Sequence, residues 1–155
     1  MNIYLKELNT NRIEKFESED SIGVNFENWT RLTQIEIEAY ELEKKKQEML
    51  EELPKNREQK AENSTILYND NLYSNSQNAR IAINNFIVKL KADETAEYFP
   101  ATYDKVVLLK KVDFKEIGYL IQSVETSLRK QEIDIIKEIN ACENLEDLNN
   151  ININF

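Results

Sequence analysis

Apolar residues recur at three- and four-residue intervals over most of the chain, the period of a helix face rather than of a strand. From Asn28 to Leu53 they fall at Leu32, Ile35, Ala39, Leu42, Met49 and Leu53, and Lys46 occupies the remaining seam position. The spacing predicts a first helix over 28–53. Asn28 is its expected N-cap, and Pro54 either stops it or starts the next. At about 1.5 Å per residue this helix is roughly 39 Å long, so a protruding hairpin or an intermolecular coil is expected. A lysine in such a seam sets register or oligomeric state at a cost in stability.

Further along, Ala79, Ala82, Ile83, Phe86, Ile87 and Leu90 share one helix face. Two arrangements are open before them. The register extends backwards through Asn75, Leu72, Tyr68 and Ala61, giving one long helix antiparallel to the first. Alternatively the chain breaks at 69–76, where Asn69-Asp70-Asn71 and Ser74-Asn75-Ser76 favour turns and Ser76 or Asn78 caps the second helix. In 93–112, Pro100 disfavours helix at Phe99, Tyr103-Asp104 suits a turn, and Val106–Leu109 fits a short strand or a helix end.

From Asp113 the seam Phe114, Ile117, Ile121, Val124, Leu128, Gln131, Ile135 predicts a last long helix, with Asp113 and Glu116 as a capping-box-like start. Leu120, Ile136 and Ile139 widen the stripe, as in a bundle. Gly118 lies inside this helix, where glycine costs about 1 kcal/mol against alanine; close approach of another helix would explain it. Ile3 and Leu5 alternate, as do Ile151, Ile153 and Phe155, which suits short strands or arms that order on a partner.

The expected fold is therefore mainly α: a long helical hairpin plus a third long helix in a small bundle or coiled coil, with minor β from residues 1–6, 105–110 or 150–155. A single domain over 1–155 is expected. It comprises an N-terminal extension (1–26), a helical body (27–141) and an acidic, Asn-rich tail (142–155). The chain has only two glycines and two prolines, and a β-sandwich or barrel would need more tight turns.

Composition removes much chemistry. The chain has no histidine and one cysteine, Cys142, so it offers no imidazole base, no internal disulfide and no ordinary zinc site. Two isolated glycines cannot build a phosphate-cradling loop. Glu36, Glu38, Glu41, Glu43, Glu48, Glu51 and Glu52 lie mostly off the seam and read as a solvated surface with i,i+4 partners. The same reading holds for Lys44-Lys45-Lys46, which acids flank. No catalytic, cofactor-binding or metal-binding residue is expected, and no small-molecule ligand.

Net charge is −9, with −3 in each of residues 1–30 and 141–155. An acidic chain opposes direct nucleic-acid binding and attracts basic proteins. Apolar runs of about four residues fall far short of the roughly 20 that a membrane helix needs. Abundant Asn, Ile, Lys and Glu with scarce Arg, Ala, Gly and Pro match the coding bias of an AT-rich genome, such as a low-GC bacterium or its phages. A cytoplasmic location, in a bacterial host cell or a virion, is expected.

These features point to a non-enzymatic protein–protein interaction module, binding a partner or itself, as an assembly or structural component of a phage or other particle. The alternative is a small acidic inhibitor, such as an anti-CRISPR or an immunity protein, that covers a basic nucleic-acid-binding surface. The candidate interaction residues are Trp29, at the expected helix start; Ile37 and Tyr40, off the seam; Lys46, on it; and Ile151, Ile153 and Phe155 in the tail.

Overall fold

A computed structural model describes residues 3–17, 28–102 and 105–155 and shows a mixed α/β chain. The elements run β1 (Ile3–Glu7), β2 (Ile13–Phe16), β3 (Trp29–Arg31), α1 (Gln34–Glu62), β4 (Thr65–Tyr68), β5 (Asn71–Ser74), α2 (Gln77–Lys89), β6 (Thr95–Tyr98), β7 (Val107–Lys110), α3 (Lys111–Ala141) and α4 (Leu145–Asn149). Among the described residues, three small antiparallel sheets accompany the helices, so the mainly α bundle or coiled coil expected from periodicity is wrong. The physical reason lies in the turns. Asn11, Asn69 and Asp70 adopt φ of 58°, 46° and 59°. Asparagine and aspartate tolerate this left-handed region, so tight turns form without glycine.

The chain divides into two compact units, Met1–Glu48 with Ile139–Ile151, and Met49–Glu138 with Asn152–Phe155. In the first unit the strand order is β2-β1-β3, with Leu5 opposite both Glu14 and Arg31. Ile3, Tyr4 and Leu5 are buried in succession, as are Leu32, Ile139 and Leu148. α1 begins six residues later than expected, because Thr33 and Glu36 form a capping box that outcompetes Asn28. The Glu36 carboxylate accepts from the Thr33 N–H at 2.8 Å, and Thr33 Oγ1 accepts from the Glu36 N–H at 3.4 Å.

α1 then runs through Pro54 to Glu62. Pro54 cannot donate to the Leu50 carbonyl, yet the helix continues for two more turns. The Leu32–Leu53 seam is not one continuous buried line. Leu32 precedes the helix and Ile35 is exposed, while Met49, Leu53 and Ala61 are the helix's buried residues.

In the second unit, Asn69-Asp70 closes the β4–β5 hairpin as a two-residue turn with both φ positive, the type I′ geometry whose twist matches paired strands. The segment is thus neither continuous helix nor a simple break. Ile66 and Tyr73 are paired and face inward; Leu67 and Leu72 are paired and face outward. Ser76 caps α2, its hydroxyl accepting from the Ala79 N–H.

β6 and β7 pair next, so the expected 106–109 segment is strand from Val107 on rather than a helix end, with Val106 just before it, and Leu109 packs inward. The expected turn at Tyr103-Asp104 lies outside the described residues, as do residues 1, 2 and 18–27. Residues 1–6 and 105–110 contribute β1 and β7, whereas 150–155 form no strand.

α3 starts at Lys111, and Asp113 closes its first turn as an acceptor, taking the Lys110 N–H at 2.7 Å and the Tyr68 hydroxyl at 2.8 Å. Ile66, Tyr73, Ile83, Leu109, Phe114, Ile117 and Ile121 make the core, with Phe86 stacked on Phe114 at 4.6 Å between centroids.

Candidate functional site

α3 buries one face through Phe114, Ile117, Ile121 and Leu128 and leaves the opposite face to solvent. Between Ile117 and Leu128 the exposed positions are Tyr119, Leu120, Gln122, Ser123, Thr126 and Ser127. None carries a charge, in a chain of which 32% is charged. Glu125, the only charged residue in that stretch, is half-buried and pairs with Arg80. Five of these residues and Lys130, but not Leu120, line an open groove of about 510 Å³. Val112 and Ile133 are also exposed, at 56% and 52%, but Lys115 and Glu116 separate the first from Tyr119, and Arg129 and Lys130 separate the second from Ser127. The strip shares with interface cores the depletion of charge and an aromatic residue, Tyr119, while its serines and threonine make it polar.

A second feature is a cleft of about 350 Å³ where α1, α2 and α3 meet, lined by Arg57, Glu58, Glu62, Arg80, Glu125 and Arg129 among others. Arg80 bridges Glu62 and Glu125, and Glu62 also accepts the Gln77 N–H at 3.0 Å. Arg57 and Glu132 face each other at 3.5 Å with only 12% and 13% of their side chains exposed.

Of the residues singled out from sequence, Trp29, Ile37, Tyr40, Lys46 and Ile151 fall in the first unit and Ile153 and Phe155 in the second. Trp29 lies in β3, half-buried and opposite Glu7, instead of opening a helix. Ile37 and Tyr40 are half-buried, and the Tyr40 ring meets Tyr4 edge-on at 6.2 Å. Burial and a hydrogen bond to Glu41 hold the Tyr4 hydroxyl above the usual tyrosine range. Lys46 donates to the Asn140 carbonyl at 3.3 Å, satisfying an acceptor in the last turn of α3. Ile151 is half-buried in the first unit. In the second, the Ile153 carbonyl accepts from Asn56 Nδ2 at 3.3 Å, and Phe155 lines a recess with Asn56, Gln59, Lys60 and Asn63.

Neither the strip nor the cleft was expected from sequence. The α3 strip had a sequence signal, the absence of charge at its outward positions. The cleft had none, because Arg57, Arg80 and Arg129 are far apart in sequence and join no periodic pattern. Comparison with protein-family models, with curated proteins and with solved structures finds no match. Among the described residues no group of three or more His, Cys, Asp or Glu side chains could hold a metal ion. No described helix is long and apolar enough to cross a membrane.

Proposed function

We propose that this chain is a non-enzymatic protein-interaction module that binds its partner through the outer face of α3. The observation that carries the reading is the uncharged strip Tyr119-Gln122-Ser123-Thr126-Ser127, exposed on α3 between Lys115 and Glu116 at one end and Arg129 and Lys130 at the other. Covering this strip desolvates no charge, but Gln122, Ser123, Thr126 and Ser127 must exchange their water for hydrogen bonds to the partner, so the partner is polar there, while Tyr119 supplies a large contact. The missing histidine supports a binding role over a catalytic one. An assembly or structural component of a phage or similar particle, in the host cytoplasm or the virion, is the setting we infer.

One observation favours the acidic-inhibitor alternative. Within the second unit, the exposed positions of α1 hold four glutamates (51, 52, 58, 62) against two lysines (55, 60). A basic target would dock there, and its binding would weaken with salt.

A photo-crosslinking side chain placed at position 119 or at position 52 separates the two in cells of the source. An adduct from 119 that is abolished by S123E/T126E, with none from 52, supports the α3 face. An adduct from 52 that fades as salt rises supports the inhibitor. Adducts from neither position refute both.

A further inference from the structure

The arginine cleft is built differently from an ordinary surface ion-pair network. Three of the chain's five arginines line it, one from each of α1, α2 and α3. A guanidinium offers five N–H donors and no acceptor. The acceptors in and beside the cleft are already engaged. Glu62 takes the Gln77 N–H and pairs with Arg80, Glu125 takes Arg80, Glu58 lies 3.5 Å from Arg57, and Glu132 faces Arg57.

The donors are not all matched. Arg57 Nε is buried and has no hydrogen-bond partner, although Glu132 neutralises its charge from 3.5 Å. Arg129 is exposed, lines the same cavity, and makes no ion pair or hydrogen bond among the described residues. A closed arginine–glutamate network would leave neither. Of these two, only Arg57 Nε is a buried group that calls for a partner, and it has under 1 Å² of accessible surface, so a ligand reaches it only as the side chain shifts; Arg129 is the donor already open to the cavity.

We propose that this cleft binds a small oxyanion, a phosphate- or carboxylate-bearing ligand, through Arg57, Arg80 and Arg129. What the cleft lacks is acceptors, and an oxyanion supplies several. Guanidinium forks match phosphate and carboxylate in bidentate geometry. Ala61 and Leu128 provide apolar wall beside the charged groups, and a cavity of about 350 Å³ is large enough for a metabolite-sized molecule rather than a bare ion. The three lining arginines are balanced by three lining glutamates, so recognition comes from directed donors rather than from a strong positive field. The glutamates hold the guanidinium groups of Arg57 and Arg80 beside the cavity, leaving Arg129 as the mobile contact.

The test is a titration of the full chain with inorganic phosphate and, separately, with citrate, each against sodium chloride of equal ionic strength. Nitrogen-resolved NMR reads the side-chain Nε–H signals of Arg57, Arg80 and Arg129, with Arg12, exposed in the other unit, as the internal control. The expected result is saturable shifts at the three cleft arginines, with a dissociation constant of about 1 mM or below, and none at Arg12. R129Q should weaken binding at least tenfold with the spectrum otherwise unchanged, because Arg129 supports no contact of the fold; R57K should retain the charge but lose the bidentate fork and weaken binding too. Tighter phosphate than citrate identifies a phosphoryl ligand, and the reverse a carboxylate. Shifts that do not saturate, that appear equally with chloride or at Arg12, or that R129Q leaves unaltered overturn the proposal.

Discussion

Replacing Gly118 with alanine should stabilise the protein, although the glycine sits where α3 meets α2. A Cβ built at 118 would lie 3.5 Å from Ile87 Cδ1 and 4.0 Å from Ile83 Cγ2, both ordinary van der Waals separations. Its φ is not positive, so no L side chain is excluded by the backbone. Glycine inside a helix costs about 1 kcal/mol relative to alanine, chiefly through backbone freedom in the unfolded chain. The added methyl is half-buried against two isoleucines and contributes about 0.4 kcal/mol, half the usual value for a buried carbon. The sum, roughly 1.4 kcal/mol, raises Tm by about 3–6 °C for a chain of this size. Thermal unfolding followed by circular dichroism, with urea unfolding beside it, reads the change. G118L is the contrasting variant: its side chain must displace Ile83 or Ile87, and overpacking of this kind costs about 1–3 kcal/mol. If G118A melts lower than the parent, the α2–α3 spacing depends on the missing methyl and the reasoning fails.

Two further predictions rest on single groups. Tyr73 is fully buried and its hydroxyl has no hydrogen-bond partner; Asn71 lies nearby without completing a bond. Y73F removes a desolvated, unsatisfied group and keeps the ring, so urea unfolding should show unchanged stability or a gain of about 1 kcal/mol; a loss above about 1 kcal/mol would mean that the hydroxyl is satisfied in solution. At the start of α1, T33A should cost about 1 kcal/mol through the lost cap. Glu36 is held below the usual carboxylate range by the Thr33 backbone N–H and then by its hydroxyl. A depressed pKa contributes stability above the unfolded value of about 4.3 and loses it as pH falls through the folded value. Protection of the first-turn amides of α1, taken relative to the intrinsic exchange rate at each pH, should therefore fall below about pH 4 in the parent, and should lose that pH step in E36Q.

The helical part of the fold was legible because helix periodicity is redundant. Seven seam residues from Phe114 to Ile135 repeat the same message, and the core uses the first three of them and Leu128. Short strands carry no such redundancy. In β4 the inward Ile66 alternates with outward Leu67, two apolar neighbours that fit a helix stripe equally well. The turn joining β4 to β5 is written Asn69-Asp70 rather than with glycine, so a scarcity of glycine that argued against a sandwich or barrel said nothing about short hairpins. The α1 boundary was lost to the same kind of local competition. Asn28 is a good cap by residue type, but Thr33-Gln34-Ile35-Glu36 offers two reciprocal hydrogen bonds where Asn28 offers one.

The candidate surfaces separate along a similar line. A face shows in sequence when it belongs to one element, since residues three and four apart must lie together on a helix. The strip from Tyr119 to Ser127 meets that condition, and the lack of charge at its outward positions could have been read directly. A cleft assembled from three elements cannot be read so. Arg57, Arg80 and Arg129 each sit in an ordinary charged helical context, and only the packing of α1, α2 and α3 brings them to one cavity. In the bundle that periodicity alone suggested, Arg80 would have lain on a continuous second helix. The β4–β5 hairpin instead restarts α2 at Gln77, where Glu62 receives its first N–H and Arg80 comes one turn later. Reading the turn at Asn69-Asp70 would have fixed the start of α2 and the place of Arg80 beside Glu62, but not the approach of Arg57 and Arg129, which only the packing of the three helices supplies.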